Sequence, residues 1–532
     1  MDNSRIPVIV GVTGHIALRP ADLPALRDSV RSELIHLKER CPHSEIAMLT
    51  SLAAGGDLLC ADVARELGIP ILAALPMEPE IYRRDFAGAD AKRFDAHCTA
   101  AEWVGVVSPV ERMPEPGSRA DAFRQAGIYV STHSHVLMAL WDGSPPDANS
   151  CGTSAAVDIT LRGNYEPQSG SPVHKGTAEA IIHILASRDT ADRRTAGAVR
   201  VLGDEAALED ILNRTDTFNR LAVGAGGGGT LLSEEACGED SVLSRMNALY
   251  HAASGLSHSF ARKYRRVLAL LAAASTLLTF AFLMYDEAGA IWMILVCGAM
   301  LGAALLCNRY AVRSDCHCRY IEYRVLAEWL RVQAYLRYAG SPMQVTSLLT
   351  WTQSLETGWI AAALRAVTIG SEPEQAHDIR KCWVDVQREY HQRSSRRTLV
   401  NVRRSERVVR VAFIASASLY VAALMFEGLF GGLTSSPLAA LQNIEGYRTL
   451  LKVTLGTLST ATIFIANYYG KQSLSRKLSD HGKMGAFYAR ISEMLEEYGQ
   501  SEALLERLAR EELIENGNWL SYQRDNTPDF NL

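Results

Sequence analysis

Val8-Ile9-Val10-Gly11-Val12-Thr13-Gly14-His15 decides how the first third of this chain folds. A β-branched run of this kind reads as a buried strand, and it breaks into glycines where the next helix must begin. Short runs like it recur at Glu45 to Leu49, Ile69 to Leu75, Trp103 to Val107, Val136 to Trp141 and Ile181 to Leu185. They alternate with helical patterns at Leu23 to Leu37, Leu58 to Leu67 and Ala120 to Thr132. Strand and helix in alternation predict a parallel sheet covered on both faces, a Rossmann-like α/β layer.

In such sheets ligands sit at the carboxyl ends of the strands, in the loops that open the following helix. The first strand's loop supplies Gly11, Thr13, Gly14 and His15, and the second supplies Ser51, Gly55, Gly56 and Asp57. After the fifth come Trp141-Asp142-Gly143 and then Cys151-Gly152-Thr153-Ser154. Glycines let a backbone approach a ligand and expose its amide hydrogens, and a helix N-terminus adds partial positive charge, so phosphate is the natural guest. None of these loops is a G-x-G-x-x-G or a P-loop, and any one alone reads as a tight turn. Three at one sheet edge make the signal. Asp57 reads either as an N-cap for the helix from Leu58 or as a ligand contact. His15 is placed to bond a phosphate or its own turn. Asp142 either accepts ribose hydroxyls or braces its loop, and Tyr82, Asp85 and Phe86 either rim a base or belong to the core.

The whole chain has 532 residues, enough for roughly three or four folded units. With 48% hydrophobic and 21% charged residues and a mean hydropathy of −0.01, it is too apolar for a disordered protein and lies at the oily edge for a soluble one. A net charge of −5 gives no global attraction to a phosphate backbone, so no nucleic-acid partner is expected. The ten cysteines form no C-x-x-C pair, and nothing at the start reads as a secretory signal. Free thiols in a reducing cytoplasm are therefore expected for the N-terminal half.

The apolar excess is concentrated in the second half. Val267 to Tyr285 and Ala290 to Cys307 are uncharged stretches close to the length that crosses a ~30 Å hydrocarbon core. Asp286, Glu287, Ala288 and Gly289 separate them, which predicts a helical hairpin. A second pair runs from Val411 to Phe430 and from Leu450 to Gly470, with Glu427 and Lys452 as intrusions. Arg262, Lys263, Arg265 and Arg266 precede the first span, Arg309 and Arg313 follow the second, Arg403, Arg404, Arg407 and Arg410 precede the third, and Lys471, Arg476 and Lys477 follow the fourth. Positive charge gathers at one end of each hairpin, so both termini and everything between the hairpins are expected in the cytoplasm. Arg393, Arg396 and Arg397 extend the third group to seven arginines, read as anchoring to anionic lipid or, alternatively, as a patch for nucleic acid or an anionic partner. Cys316 and Cys318 flank His317 but would point apart on a helix, so no metal site is expected.

The expected division is a nucleotide-binding domain over 1–190, a connecting segment over 191–260 with the glycine run Gly226 to Gly229, a first hairpin with its cytoplasmic helix over 261–350, a helical segment over 351–410, and a second hairpin with a C-terminal helix over 411–532. The expected fold class is thus an α/β Rossmann-like parallel sheet domain plus an all-α membrane domain with four transmembrane helices.

The set Val10 to His15, Ala54-Gly55-Gly56-Asp57, Leu75-Pro76 with Tyr82 to Phe86, Ala139 to Gly143 and Gly152-Thr153 resembles the SLOG superfamily, Rossmann-like domains related to the LOG nucleotide phosphoribohydrolases and to DprA-type proteins. The resemblance covers about Arg5 to Arg188. Tyr323-Arg324-Val325-Leu326-Ala327-Glu328-Trp329-Leu330-Arg331-Val332-Gln333 is similar to the signature of SLATT domains, two-span effector modules found beside SLOG domains and nucleotide-generating enzymes in bacterial defence islands. Read from the residues alone, Tyr323, Leu326, Leu330 and Ala334 form the apolar stripe of an amphipathic helix. LOG hydrolases carry P-G-G-x-G-T-x-x-E, and here Ala156 stands where the glutamate belongs. Loss of that carboxylate removes a partner worth ~100 to 10,000-fold in rate, so the resemblance implies a binder without catalytic residues.

Taken together these readings lead to an expectation. The chain is a sensor for a small nucleotide second messenger, with no cofactor, coupled to a membrane-disrupting or pore-forming effector in bacterial antiviral defence of the abortive-infection type. It would sit in the inner membrane as a homo-oligomer, beside an operon-encoded TIR or nucleotidyltransferase enzyme that makes the signal. The rival from another class is a membrane-anchored enzyme that cleaves an N-glycosidic bond.

Overall fold

Val8, Val10 and Val12 face one side of their strand and Ile9 the other, and all four are buried in the computed structural model. A strand apolar on both sides needs cover on both sides, which is the condition of a parallel sheet. The structure describes residues 3–107, 119–145, 152–162, 180–188, 195–373, 376–430, 444–471 and 474–525. The chain divides into two compact units.

The first unit comprises Met1–Leu256, Glu322–His377 and Glu502–Gly517. Its sheet is built from β1 (Val8–Gly14), β2 (Ile46–Thr50), β3 (Ile71–Leu75), β4 (Trp103–Val106), β5 (Val136–Trp141), β6 (Ala180–Leu185) and β7 (Val199–Gly203). Across the sheet the order is β4-β3-β2-β1-β5-β6-β7. The first six strands run parallel and β7 pairs antiparallel with β6. Register sets Val10 beside Met48 on one side and Val136 on the other.

One sheet face packs under the helices Leu23–Arg40, Gly56–Glu66 and Gly88–Ala100. The first of these buries Leu26, Val30, Leu34 and Leu37, a stripe at helical spacing. The opposite face packs under Val130 of the helix Arg119–His133, Val157 of the helix Thr153–Arg162, and Ala366 of the helix Gly358–Thr368. That last helix buries residues on every side, the pattern of a core helix.

Between Arg188 and Ser259, where the sequence suggests a connection, the chain adds β7 and the helix Glu205–Ala222. Asp204 caps this helix by accepting the Ala207 N–H at 3.0 Å. Leu208, Ile211, Leu212 and Phe218 form its buried face. Asn219 then exchanges two hydrogen bonds of 2.8 Å with the backbone of Ile6, just ahead of β1. Its charged outer face is what makes the segment look polar in sequence. The stripe Tyr323, Leu326, Leu330 and Ala334 is buried too, and Arg331 beside it reaches Glu512 at 3.0 Å.

The second unit comprises Ser257–Ile321, Asp378–Ser501 and Asn518–Leu532. Four helices are long and apolar enough to cross a membrane: Ser241–Asp286, Met293–Tyr338, Arg380–Leu429 and Gly446–Asn467. Their apolar windows are at most 11% buried by protein, leaving Leu295, Leu306, Phe413 and Ile463 mostly exposed. So much unburied apolar surface suits hydrocarbon and is a liability in water. The two charges that interrupt the second pair have partners near the helix turns. Glu427 takes a forked pair from Arg448 at 2.5 and 2.8 Å, and Lys452 donates to Glu287 at 2.7 Å.

Candidate functional site

β1 lies between β2 and β5, so the chain leaves it to build the sheet in one direction and later returns to build it in the other. Ligands of open α/β sheets bind outside the carboxyl ends of the strands at such a point. The residues there are Gly14 and His15 after β1, and Asp142 and Gly143 after β5.

Close backbone packing explains the glycines. A Cβ on Gly14 would lie 2.7 Å from the Cα of Gly56, and one on Gly56 would lie 2.7 Å from the Cα of Gly14. Gly55, at φ +80°, turns the chain into the helix Gly56–Glu66. The Gly56 N–H then donates to the His15 carbonyl at 3.0 Å, and the His15 N–H donates to the Leu140 carbonyl at 3.0 Å. The β1 loop is thereby tied to both neighbours.

The side chain of His15 is buried and spans the same gap. Its Nε2 accepts the backbone N–H of Asp142 at 3.1 Å and stands 3.3 Å from the Asp142 Oδ2. Accepting a backbone proton makes Nε2 unprotonated and leaves Nδ1 as the donor. Burial pulls the imidazole below its ordinary 6.5, against the opposing pull of the Asp142 carboxylate. Burial also works to raise Asp142, but the hydroxyl and N–H of Ser144 at 2.5 and 2.9 Å, together with His15, outweigh it and bring the carboxyl to about 2. Arg188, just past β6, approaches the same carboxylate at 3.4 Å. Asp142 therefore braces its own loop while presenting a charge at the crevice.

Asp57 is not an N-cap. Gly55 occupies the cap position and Asp57 lies inside the first turn, buried. Its carboxyl reaches back to the β2 loop, accepting from the Thr50 hydroxyl at 3.0 Å and the Ala53 N–H at 3.4 Å. Burial raises it to about 7 despite those bonds and others from the backbones of Gly14 and Ser51. It holds the β1 and β2 loops together from beneath.

Not every candidate gathers here. Gly11 lies in mid-strand, where a Cβ would strike Ser134 and Val130 of the helix side. Thr13 is half-buried beside Ala139, and Ser51 is half-buried just past β2. Tyr82 is buried edge-on against Phe86, Phe94 and Phe123, at 5.1 to 5.8 Å, and Asp85 pairs with Arg119. Gly143 adopts φ +85°. Thr153 opens its helix, and Gly152 before it has open space where a Cβ would go. Ser150 and Cys151 of that loop lie outside the described residues.

Ser144 and Arg188 escape a sequence reading of the loops, although both lie just past a strand's carboxyl end, which is the one signal that marks them. Gly55 also lines a pocket of ≈ 560 Å³ with Ile16, Leu18, Leu23, Arg27 and Arg93. The size is that of small-molecule sites. Pro24, Leu59 and Asp90 complete its mixed lining, and both guanidiniums are engaged, Arg27 by Glu66 and Arg93 by Asp62 and Asp90. Comparison with known proteins finds no family model that matches this chain, and no curated protein matches it.

Proposed function

We propose that the chain is a nucleotide-signal sensor coupled to a membrane effector. The observation that carries this reading is the switch-point crevice, where glycine backbones, the His15 imidazole and the open N-terminus of the helix Thr153–Arg162 converge on one sheet edge. Phosphate suits the N–H groups that open that helix, and the ≈ 560 Å³ pocket beside Gly55 suits a base.

By the resemblance to SLOG and SLATT domains, the ligand is a messenger such as a cyclic ADP-ribose derivative or a cyclic oligonucleotide. A partner enzyme of the TIR or nucleotidyltransferase type would make it. The response is rearrangement of a homo-oligomer and loss of membrane integrity in the bacterial inner membrane, with the sensor facing the cytoplasm. Ala156 supports binding over hydrolysis. It is buried, with its Cβ near Gly127 of the neighbouring helix, and has no carboxylate to offer.

A ligand shifts a conformational equilibrium only through differential affinity, so a sensor returns its ligand unchanged. The test adds candidate nucleotides to proteoliposomes of the full chain holding a trapped dye. Dye release with intact nucleotide recovered by chromatography is expected. Steady turnover to free base and sugar phosphate without release would replace this reading with the anchored hydrolase.

A further inference from the structure

We infer that the groove between the helices Val386–Phe430 and Ile444–Lys471 is a site for one anionic phospholipid. The groove has a volume of ≈ 850 Å³, within the range of small-molecule sites. Its chemistry changes along its length. Phe413, Ile463 and Ala466, on the uncharged stretches 411–426 and 453–470, line one part, and Phe413 and Ile463 are about two-thirds exposed, with 66% and 67% of their surface uncovered. Arg410 and Arg476 line the other part.

That change falls at the boundary between lipid and water. Arg410 is the last charged residue of its helix before the uncharged run to Phe426, and Arg476 follows the apolar helix Gly446–Asn467. Phospholipid phosphates lie at this level and acyl chains below it. Arg476 is held with its guanidinium 4.3 Å over the Tyr522 ring and only 3.9 Å from Asp480. Arg410 makes no ion pair with the described residues. Glu406 is on the same rim, one carboxylate against two guanidiniums.

The charge pattern selects the occupant. A free phosphate would satisfy the arginines and leave the apolar wall uncovered, whereas a zwitterionic lipid brings its own cation to a cationic rim. An anionic lipid matches both halves, and basic pockets between membrane helices bind such head groups. The inference rests on the bilayer placement of the apolar helices and is independent of the nucleotide reading.

The test uses the full chain purified in mild detergent and titrated with phosphatidylglycerol or phosphatidylcholine, with bound lipid counted by native mass spectrometry. Phosphatidylglycerol should be retained about tenfold better, and R410Q/R476Q should erase most of that preference. R65Q/R124Q, which removes the same charge from exposed positions of the sheet-bearing unit, should keep it. Ala466→Phe fills the groove with its charges intact and should also lose the lipid, so it carries the test if the double variant does not assemble. Equal retention of the two lipids, equal loss in R65Q/R124Q, or displacement of phosphatidylglycerol by excess inorganic phosphate would each overturn the site. A chain that carbonate extracts from membranes would instead overturn the bilayer placement beneath it.

Discussion

His15 at the end of β1 accepts the backbone N–H of Asp142 at the end of β5, 3.1 Å away, so one imidazole closes the gap at which the sheet changes direction. The contact needs the unprotonated Nε2, and the Asp142 Oδ2 waits 3.3 Å from the same atom. A phosphate entering the crevice would add negative charge beside an imidazole that burial holds below its ordinary value.

Nucleotide binding should therefore draw a proton onto His15, and affinity should strengthen as the pH falls from 8 toward 6. Calorimetry in two buffers of different ionisation enthalpy reads the proton directly. His15→Gln should remove the buffer dependence and cost about tenfold in affinity. The same heat in both buffers for the unaltered protein would count against the assignment.

Gly14 and Gly152 should separate packing from binding. Gly14→Ala must push the β1 loop off Gly56, at a cost of ~1–3 kcal/mol in unfolding stability. Gly152→Ala meets open space and should stay within about 0.5 kcal/mol of the parent. Gly152→Glu should leave the melting temperature in place and abolish nucleotide binding. Unfolding of the Gly152 variants to the same extent as Gly14→Ala would contradict the placement of this loop.

Buried titrating groups set opposing pH dependences. Burial holds His133 and His135 at about 4, with Arg365 adding to the effect on His133. Their folded values are depressed, so the stability they contribute is complete above 6.5 and is lost as pH falls toward 4, ~3 kcal/mol for each. Asp57 has the opposite sign. Raised to about 7, it contributes stability that is present below about 4 and lost as pH rises through 7, ~4 kcal/mol. The two histidines prevail, so stability should rise modestly from pH 4 to 7. Asp57→Asn should make that rise steeper and exceed the parent at pH 8, the gap closing near pH 4. Thermal unfolding followed by near-ultraviolet circular dichroism checks this, and parallel curves for the two proteins would refute it.

Glu427 and Arg448 should behave as a unit. Removing either charge leaves the other unpaired near the end of an apolar helix, a cost between the ~0.5 kcal/mol of an exposed pair and the ~3 kcal/mol of a lone charge at the bilayer centre. Glu427→Gln should lower the melting temperature in detergent, and E427R/R448E should restore most of it. No recovery in the swapped protein would mean that the pair is incidental.

Topology follows from the flanking cations. A reporter fused after Leu532 and another placed between Arg313 and Arg397 should both register as cytoplasmic. A periplasmic signal from either would exclude two hairpins entering from the cytoplasmic side.

The sheet was legible because β1 to β6 carry apolar residues on both faces, a pattern few other structures need. β7 was not, since it is only five residues long and Val199, Arg200 and Val201 lie exposed at the sheet edge, with no buried face to mark it. The loops at the switch point could be read from their glycines, but the roles within them could not. Asp57 looks like a cap in sequence, and only the fold shows its carboxyl turned back to Thr50. Tyr82 could be read as stacking on a base, although an aromatic at helical spacing is more often core, and it joins an aromatic cluster. The four apolar helices declared themselves by length. The apolar helix Gly358–Thr368 gave no sign that its partner is a sheet formed by the first half of the chain, as nothing local in a sequence records a contact that distant.

The discontinuity of the sheet-bearing unit has a consequence for biosynthesis. Ala366 and Ile369 complete one face of the sheet, and Glu512 answers Arg331. Ile369 leaves the ribosome 113 residues after Leu256, which at about 5–20 residues per second is a delay of about 6–23 s. During that interval Ile9, Leu49 and Leu137 lack part of their cover, while the first pair of apolar helices is being made. Synthesis of the first apolar hairpin thus precedes completion of the sheet domain, and whatever shields that unfinished face in the meantime bears on the yield of folded protein.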